Sequence, residues 1–256
     1  MKLPDSLNKF LEETGSTSRF TYWYFHELIR PRYEVKQFLR QCYIIGYTSL
    51  PLIAITGFIM GLVLTIQLRP SLISYGVESQ LPVMVSLAIV REIGPVITAL
   101  IFAGKISSSI GAELGSMKVT EQIDSMEVSG TNPFKYLVVT RVLASTLMLP
   151  ILVVMSDTVS LYGSYLGVNI RGNTSLKLFF FQVFHTLEFG DVIPAIIKTF
   201  FFGFAIGIIG CYKGYNSSKG TEGVGRSANS AVVVSSLIVF VIDLIAVQIT
   251  DILGLN

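Results

Sequence analysis

The sequence predicts an all-α membrane protein that crosses the bilayer five times. About half of its 256 residues are hydrophobic and only 14% are charged, whereas soluble domains carry about 25% charged residues. The apolar residues collect in five stretches, each near the roughly 20 residues that a helix needs to cross the hydrocarbon core. Lipid offers the backbone no hydrogen-bond partners, and the stretches do not alternate as barrel strands do. We therefore expect helices.

An aromatic segment precedes the first of these stretches. Residues 20–32 contain Trp23, the adjacent aromatic residues Tyr22, Tyr24 and Phe25, and flanking arginines. This composition is typical of the lipid headgroup level. We predict that residues 1–43 are cytoplasmic and include an N-terminal interfacial amphipathic helix. The alternative is a partly exposed helix that packs on the bundle.

The remaining residues, 44–256, are predicted to form a single transmembrane domain. Its predicted spans cover residues 44–66, 81–103, 142–168, 192–212 and 231–253. Gly94-Pro95 lies inside the second span, where proline removes a backbone donor and predicts a break. Gly57 and Gly61 form a small-residue pair on the first span, which favours close helix approach.

The basic residues predict the orientation of the chain. Fourteen of the Lys and Arg residues lie in the N-terminal segment and in the loops after the second and fourth spans, and three lie in the other loops. By the positive-inside rule the N-terminus is cytoplasmic and the C-terminus periplasmic. The first residues resemble neither a signal peptide nor a transit peptide. We therefore expect the inner membrane of a bacterium.

Four ionisable residues lie near the middle of predicted spans. Arg91 and Glu92 are on the second span, Lys198 on the fourth and Asp243 on the fifth. An unpaired charge at that depth costs at least ~2.5–3.5 kcal/mol, so we predict two ion pairs, with Arg91 and Lys198 facing the two carboxylates. Either this network opens and closes a transport path, or it is a structural clamp. Asp157 on the third span has no evident partner.

The loop between the second and third spans is rich in polar and small residues. Within residues 105–128 apolar side chains recur at helical spacing, which predicts a short amphipathic helix. These side chains are Leu114, Met117, Ile123 and Met126. A cytoplasmic helix of this kind is typical of a docking element for a partner protein. The alternative is a bare connector.

Several motifs in the chain resemble those of a known transporter family. They are Arg91-Glu-Ile-Gly-Pro, Ala103-Gly-Lys, Ala112-Glu-Leu-Gly-Ser-Met, Thr120-Glu-Gln-Ile-Asp-Ser-Met-Glu and the block from Gly220 to Ser236 that precedes Asp243. Together they are similar to the signature of the MlaE/YrbE permeases. The resemblance covers nearly the whole chain from about residue 20.

The resemblance implies a homodimeric permease of an ABC system that moves phospholipids or related lipids between membranes of the cell envelope. It implies a cytoplasmic ABC ATPase on the loop after the second span and an MCE-domain protein on the far side. A STAS-domain accessory protein is a further candidate partner. The residues expected to couple to the ATPase are Glu113, Lys118, Glu121, Asp124 and Glu127.

The resemblance also implies a lipid cavity between two protomers. Its candidate residues, on the first predicted span and directly after it, are Met60, Leu64, Gln67, Leu68 and Arg69. Leu68-Arg69-Pro70 departs from the family, which commonly has glycine and an aromatic or apolar residue there. Arg69 either contacts a lipid phosphate or extends to the interface along its apolar stem, and we favour the second.

The sequence excludes several other functions. It has no Gly-x-x-x-x-Gly-Lys-Ser/Thr loop for ATP phosphates, and we expect no catalytic residues, metal site or cofactor in this chain; ATP and Mg²⁺ belong to the partner ATPase. Cys42 and Cys211 fit no metal or redox spacing. A net charge of +2 without a basic run argues against nucleic acid.

Two other functions stay open at this point. A proton-coupled secondary transporter would use Glu92, Lys198 and Asp243, since buried carboxylates and a buried lysine are common in proton relays. Against it, the sequence contains no inverted repeat. A non-transporting membrane scaffold is the other alternative.

Overall fold

The computed structural model is helical almost throughout its described residues, which are 5–31, 34–170 and 172–254. Lys2, Arg32 and Arg171, which contribute to the predicted orientation, lie outside those ranges. The α-helices of the described part are α1 (Asp5–Ile29), α2 (Val35–Ser74), α3 (Leu81–Ala88), α4 (Gly94–Phe102), α5 (Ser108–Val119), α6 (Gln122–Val128), α7 (Thr140–Asn169), α8 (Leu176–Thr186), α9 (Phe189–Tyr215) and α10 (Thr221–Ile252).

Five helical segments of the described ranges are long and apolar enough to cross a membrane, which confirms the predicted all-α, five-span fold class. They are α2, the second span (Glu78–Val119), the third span (Phe134–Asn169), α9 and α10. The second span contains α3, α4 and α5, joined by π-helical turns at Ile89–Ile93 and Ala103–Ser107. The third span is α7 preceded by a π-helical segment, Phe134–Val139.

The five crossings define two ends of the bundle. The α6 end contains α1, α6 and the turn at residues 216–220, which connects α9 to α10. The α8 end contains α8 and the connection from α2 to α3.

The third span lies at the centre of the bundle, between α2 and α9. Its most apolar stretch is 67% buried, against 17% for α10. Close packing against α2 depends on small residues: the Ser160 hydroxyl donates to the Gly57 carbonyl oxygen at 2.8 Å, and a Cβ added at Gly61 would overlap the Ser160 backbone. On the opposite side, a Cβ at Gly207 of α9 would lie 3.1 Å from the Cα of Val142. The central helix is therefore held by backbone-to-backbone approach on two sides.

The break predicted at Gly94-Pro95 takes the form of a π-helical turn. Pro95 lies in the first turn of α4, directly after the π-helical residues Ile89–Ile93. Proline cannot donate to the preceding turn, and the wider π turn accommodates the missing bond without ending the helix. The second span therefore stays helical from one end of the bundle to the other.

The N-terminal helix α1 packs on the bundle along one side and is exposed along the other. The Phe20 ring lies 4.9 Å from the Phe134 ring, and Tyr24 is buried against Phe204 of α9. Burial raises the pKa of the Tyr24 hydroxyl, so it stays uncharged. Trp23 is 55% exposed. The structure therefore contains the partly exposed helix packed on the bundle, and the placement of its exposed face at the lipid headgroups stays a prediction.

Substitution of Gly61 tests the close approach of α2 to the third span. We expect Gly61→Ala to lower the free energy of unfolding by about 1–3 kcal/mol, since the new methyl group would overlap the Ser160 backbone. Gly104 is the control, because a Cβ there meets nothing within 4 Å. Gly104→Ala should be neutral or slightly stabilising. Equal effects of the two variants, measured by unfolding in detergent micelles, would contradict the packing argument.

Candidate functional site

Lys198 is the centre of an ion-pair network inside the bundle. Its Nζ donates to Glu92 Oε2 at 2.7 Å and to Asp243 Oδ1 at 2.9 Å. The lysine side chain is 5% exposed, while the Glu92 side chain is 47% exposed. The network joins the second span, α9 and α10, and three of the four charges predicted to pair within the membrane meet in it.

The predicted second ion pair is wrong, because Arg91 contacts neither Glu92 nor Asp243. Its Nε donates to Asp191 Oδ1 at 2.7 Å, and Asp191 Oδ2 accepts the backbone N–H of Glu188 at 2.9 Å, which caps α9. Successive residues of a helix point about 100° apart. Arg91 and Glu92 therefore face different neighbours, and the long arginine side chain reaches the first turn of α9.

Asp191 was not among the predicted site residues, because it lies directly before the predicted fourth span and therefore in a predicted loop. The available signal was the spacing Glu188-x-x-Asp191 ahead of an apolar run. That spacing is typical of reciprocal capping at a helix start, and the structure contains the capping box.

A small polar chamber lies between the two ion-pair clusters. Its volume is about 40 Å³, and Arg91, Glu92, Asp191, Lys198 and Thr250 are among its lining residues. A water molecule needs only about 10–15 Å³ of such volume. The charges therefore border a space that admits water, as expected for ionisable groups in a membrane protein.

Asp157 lies beside the π-helical turn of the second span. Its Oδ1 is buried without a hydrogen-bond partner within the described part of the chain. A Cβ at Gly94 would overlap this oxygen, so the glycine allows the second and third spans to meet here. The sequence likewise offered no partner for Asp157.

The segment predicted to dock a partner, residues 105–128, is divided: its first part continues the second span through α5, and only its end forms a separate helix, α6. The preceding helix α5 ends at Val119, and Glu121 adopts a positive φ of 59° before α6 begins. Ile123 is 1% exposed and anchors α6 on the bundle. Glu121, Asp124 and Glu127 are exposed. The result is a short acidic surface at the α6 end.

Three of the predicted coupling residues, Glu113, Lys118 and Asp124, have partners inside the chain. Lys118 Nζ donates to Asp124 Oδ1 at 2.9 Å, which ties the end of α5 to α6. Glu113 lies on α5 rather than α6, and its Oε1 accepts from the buried Arg141 at 2.7 Å. Glu113 therefore neutralises a buried cation of the third span, a contact that the sequence did not indicate.

The five predicted cavity residues of α2 have different surroundings. Leu64 and Leu68 pack against an apolar cluster built from α3, α7 and α8, while Gln67 is exposed. Met60 borders a small pocket beside the π turn of the second span. Arg69 borders another pocket, at the α8 end. Within this chain these residues do not form a common wall.

The Arg69 side chain forms hydrogen bonds within the chain and does not extend along the surface. Its Nη2 donates to Glu78 at 2.6 Å and its Nη1 to the Val168 carbonyl oxygen at 3.1 Å. The side chain is 13% exposed. Arg69 therefore links the ends of α2 and the third span to the start of the second span.

Removal of the Lys198 ammonium tests the ion-pair network. We expect Lys198→Met to lower the free energy of unfolding by about 3–5 kcal/mol, because two carboxylates lose their cation. The triple variant with Glu92→Gln and Asp243→Asn should recover most of that loss. Arg226→Met is the control, since it breaks an equally short but exposed pair with Glu222 and should cost under about 1 kcal/mol. A Lys198→Met protein as stable as the unsubstituted one would refute the network.

Comparison with known proteins shows which family this chain resembles. The model of the Permease MlaE family matches residues 38–249. A probable ABC transporter permease protein of Rickettsia felis is 40% identical over 91% of this chain and 90% of its own length. A protein of the same description from Synechocystis is 34% identical over 92% and 90%. The chloroplastic protein TRIGALACTOSYLDIACYLGLYCEROL 1 of Arabidopsis thaliana is 36% identical over 78% of this chain and 57% of its own. This multi-pass membrane protein therefore belongs to the MlaE permease family of ABC transporters.

Proposed function

We propose that the protein is the permease subunit of an ATP-driven lipid transporter and acts as a homodimer on phospholipids or related lipids. The observation that carries this proposal is the acidic helix α6, which lies at the end of the same span that contains Glu92, the partner of Lys198. Membership of the MlaE permease family, which implies an ATPase partner and a substrate-binding component, supports it.

The second span supplies a mechanical connection between the two sites. It is helical from Glu78 to Val119, and Glu92 lies 27 residues before its end, or about 40 Å at 1.5 Å per residue. In the proposed mechanism, ATP-driven closure of two ATPase subunits pushes α6. The π-helical turn at Ile89–Ile93 transmits that push to the Lys198 network, since such turns are frequent at functional sites.

A lipid substrate is consistent with the family and with the membrane-facing surface. The name of the Arabidopsis thaliana relative contains that of a diacylglycerol glycolipid. Large apolar side chains along α2 and α10, such as Ile55 and Leu244, are exposed. A lipid can therefore approach from the bilayer without crossing a polar surface.

The proposal assigns the α6 end to the cytoplasm and the α8 end to the periplasm of a bacterial inner membrane. The basic residues collect at the α6 end, where the positive-inside rule places the cytoplasm. The ATPase then binds α6, and an MCE-domain protein covers the α8 end. A STAS-domain protein is a further candidate partner.

Reversal of charge on α6 tests the docking of the ATPase. We expect Asp124→Lys to lower co-purification of the ATPase and ATP-dependent lipid transport in proteoliposomes, because it reverses a charge on the acidic surface and removes the internal pair with Lys118. The matched control is the exchange Lys118→Glu with Asp124→Lys, which keeps the internal pair. If the ATPase binds the charge of α6, co-purification stays low in the exchange variant even though the internal pair is kept.

Full recovery of ATPase co-purification and lipid transport in the exchange variant would contradict the docking role. It would mean that Asp124 acts only through its internal ion pair with Lys118 and not by contact with a partner.

Two other results would favour the remaining functions. Lipid transport by the isolated chain under a proton gradient, without any ATPase, would support a proton-coupled carrier. An assembled complex that hydrolyses ATP but moves no lipid would support a scaffold or a different substrate.

The triple variant at Lys198, Glu92 and Asp243 separates a mechanistic network from a clamp. If the network takes part in transport, the triple variant is stable but loses ATP-dependent lipid transfer. Transfer at the unsubstituted rate would show that the charges serve stability alone. The measurement is lipid transfer from the reconstituted complex, beside the unfolding experiment on the same sample.

A further inference from the structure

A surface groove between α9 and α10 is not part of the sites described above. Its volume is about 670 Å³, within the roughly 300–1,000 Å³ typical of small-molecule sites. Exposed apolar side chains form its two ridges: Phe189, Ile193, Ile197 and Phe201 on α9, and Ile245, Ile249 and Leu253 on α10. The less exposed residues Gly190, Pro194 and Ala246 lie between these ridges.

The length of the groove is close to the thickness of one leaflet. From Phe189 to Phe201 the helix rises about 18 Å at 1.5 Å per residue, compared with a hydrocarbon core of about 30 Å. The groove begins at the α8 end, where α9 starts and α10 finishes, and stops near the level of Ile242. A spanning helix of a partner protein needs about 20 residues of contact and would extend past it. An acyl chain of the leaflet at the α8 end has the matching depth.

The walls of the groove match a hydrocarbon chain. Lys198 is the charged residue among the lining residues, and its ammonium is held by Glu92 and Asp243. The ridge residues are all at least half exposed, from Ile245 at 50% to Phe189 at 84%. An apolar chain in the groove would bury these side chains without desolvating an unpaired charge.

The groove adjoins the polar chamber described above. Gly190, Pro194, Lys198, Ala246 and Thr250 line both spaces. The chamber lies beside Asp191, in the first turn of α9 at the α8 end, and therefore near the membrane surface.

The chamber is lined by two ion pairs, Arg91 with Asp191 and Glu92 with Lys198, and so carries charges of both signs. The Arg91 side chain is 36% exposed and the Glu92 side chain about half exposed. An arginine donates to phosphate, and a carboxylate accepts from an ammonium group. A zwitterionic head group matches this pair of charges.

We propose that the α9–α10 groove binds one acyl chain of a zwitterionic phospholipid from the leaflet at the α8 end, with the head group at the mouth of the polar chamber. The site lies within one protomer, apart from the cavity expected between two protomers. The inference rests on the lipid substrate of the proposed function. It adds a lateral path by which a lipid passes between the bilayer and the Lys198 network.

Photo-cross-linking tests this site in the full chain. The chain is placed in nanodiscs with phosphatidylethanolamine that carries a diazirine in an acyl chain, and cross-linked residues are quantified by mass spectrometry. Ile245 reports on the groove, and Leu244 is the matched control because it is similarly exposed at the same depth on another face of α10. We expect cross-linking at Ile245 to exceed that at Leu244 several-fold. Unlabelled phosphatidylethanolamine should compete better than phosphatidylglycerol.

Filling the groove gives the second arm of the experiment. Ala246→Phe should lower cross-linking at Ile245 to the level of Leu244, and Leu244→Phe should leave it unchanged. Ile193→Trp narrows the groove from the α9 side and should act like Ala246→Phe, so misfolding of one variant does not decide the result. Size-exclusion elution and the unfolding midpoint verify the fold of each.

Equal labelling of Ile245 and Leu244, or labelling that survives both groove variants, would overturn the site. Cross-links from the groove to a second copy or to a partner protein would overturn it as well.

Lipid transport by the reconstituted complex distinguishes the failure of the groove proposal from the failure of the proposed function. If Ala246→Phe abolishes groove labelling but ATP-driven lipid transfer continues at the unsubstituted rate, the lateral path is wrong and the proposed function stands. If the groove is labelled but the complex transfers no lipid, the proposed function fails and the binding site stands.

Discussion

The burial of one ammonium group constrains the arrangement of three membrane crossings. Lys198 is almost inaccessible, so its charge requires carboxylates within hydrogen-bond distance, and these come from the second span and from α10. Loss of one partner of a buried pair costs about 3–5 kcal/mol. The rotation and depth of α9 and α10 are therefore coupled, and the second span must present Glu92 at the same level. The small polar chamber lies where these three elements meet, and the α9–α10 groove adjoins it.

Packing around the third span makes this arrangement possible. Glycines on α2 and α9 face serines and backbone on α7, which allows helix axes to approach closely. In a membrane the lipid is as apolar as leucine, so such close packing and interhelical hydrogen bonds replace the hydrophobic drive of a soluble core. The Ser160-to-Gly57 hydrogen bond is one example. Because Lys198 lies on α9, a displacement of α9 against α7 also moves the ion-pair network.

The two candidate sites are connected by one helical element with a defined irregularity. The second span carries Glu92 within a π-helical turn and leads, through α5, to the acidic helix α6. The buried Arg141 pairs with Glu113 on α5 and attaches this arm to the third span. A force on α6 would therefore act on both the second and third spans. This connection is the physical basis of the ATP-driven transport that we propose for a chain in which we expect no nucleotide site.

The sequence by itself determined the fold class, the number of crossings, the short helix after the second span and the family, because hydropathy and long local motifs record these properties directly. It also identified Glu92, Lys198 and Asp243 as charges that must pair. Only the tertiary structure decided which charges meet: Arg91 pairs with Asp191, and Glu113 pairs with Arg141. Such pairings depend on the rotation of each helix about its axis, which is set by glycine contacts and by the extra residue of a π turn. The α9–α10 groove likewise exists only once two distant segments lie side by side.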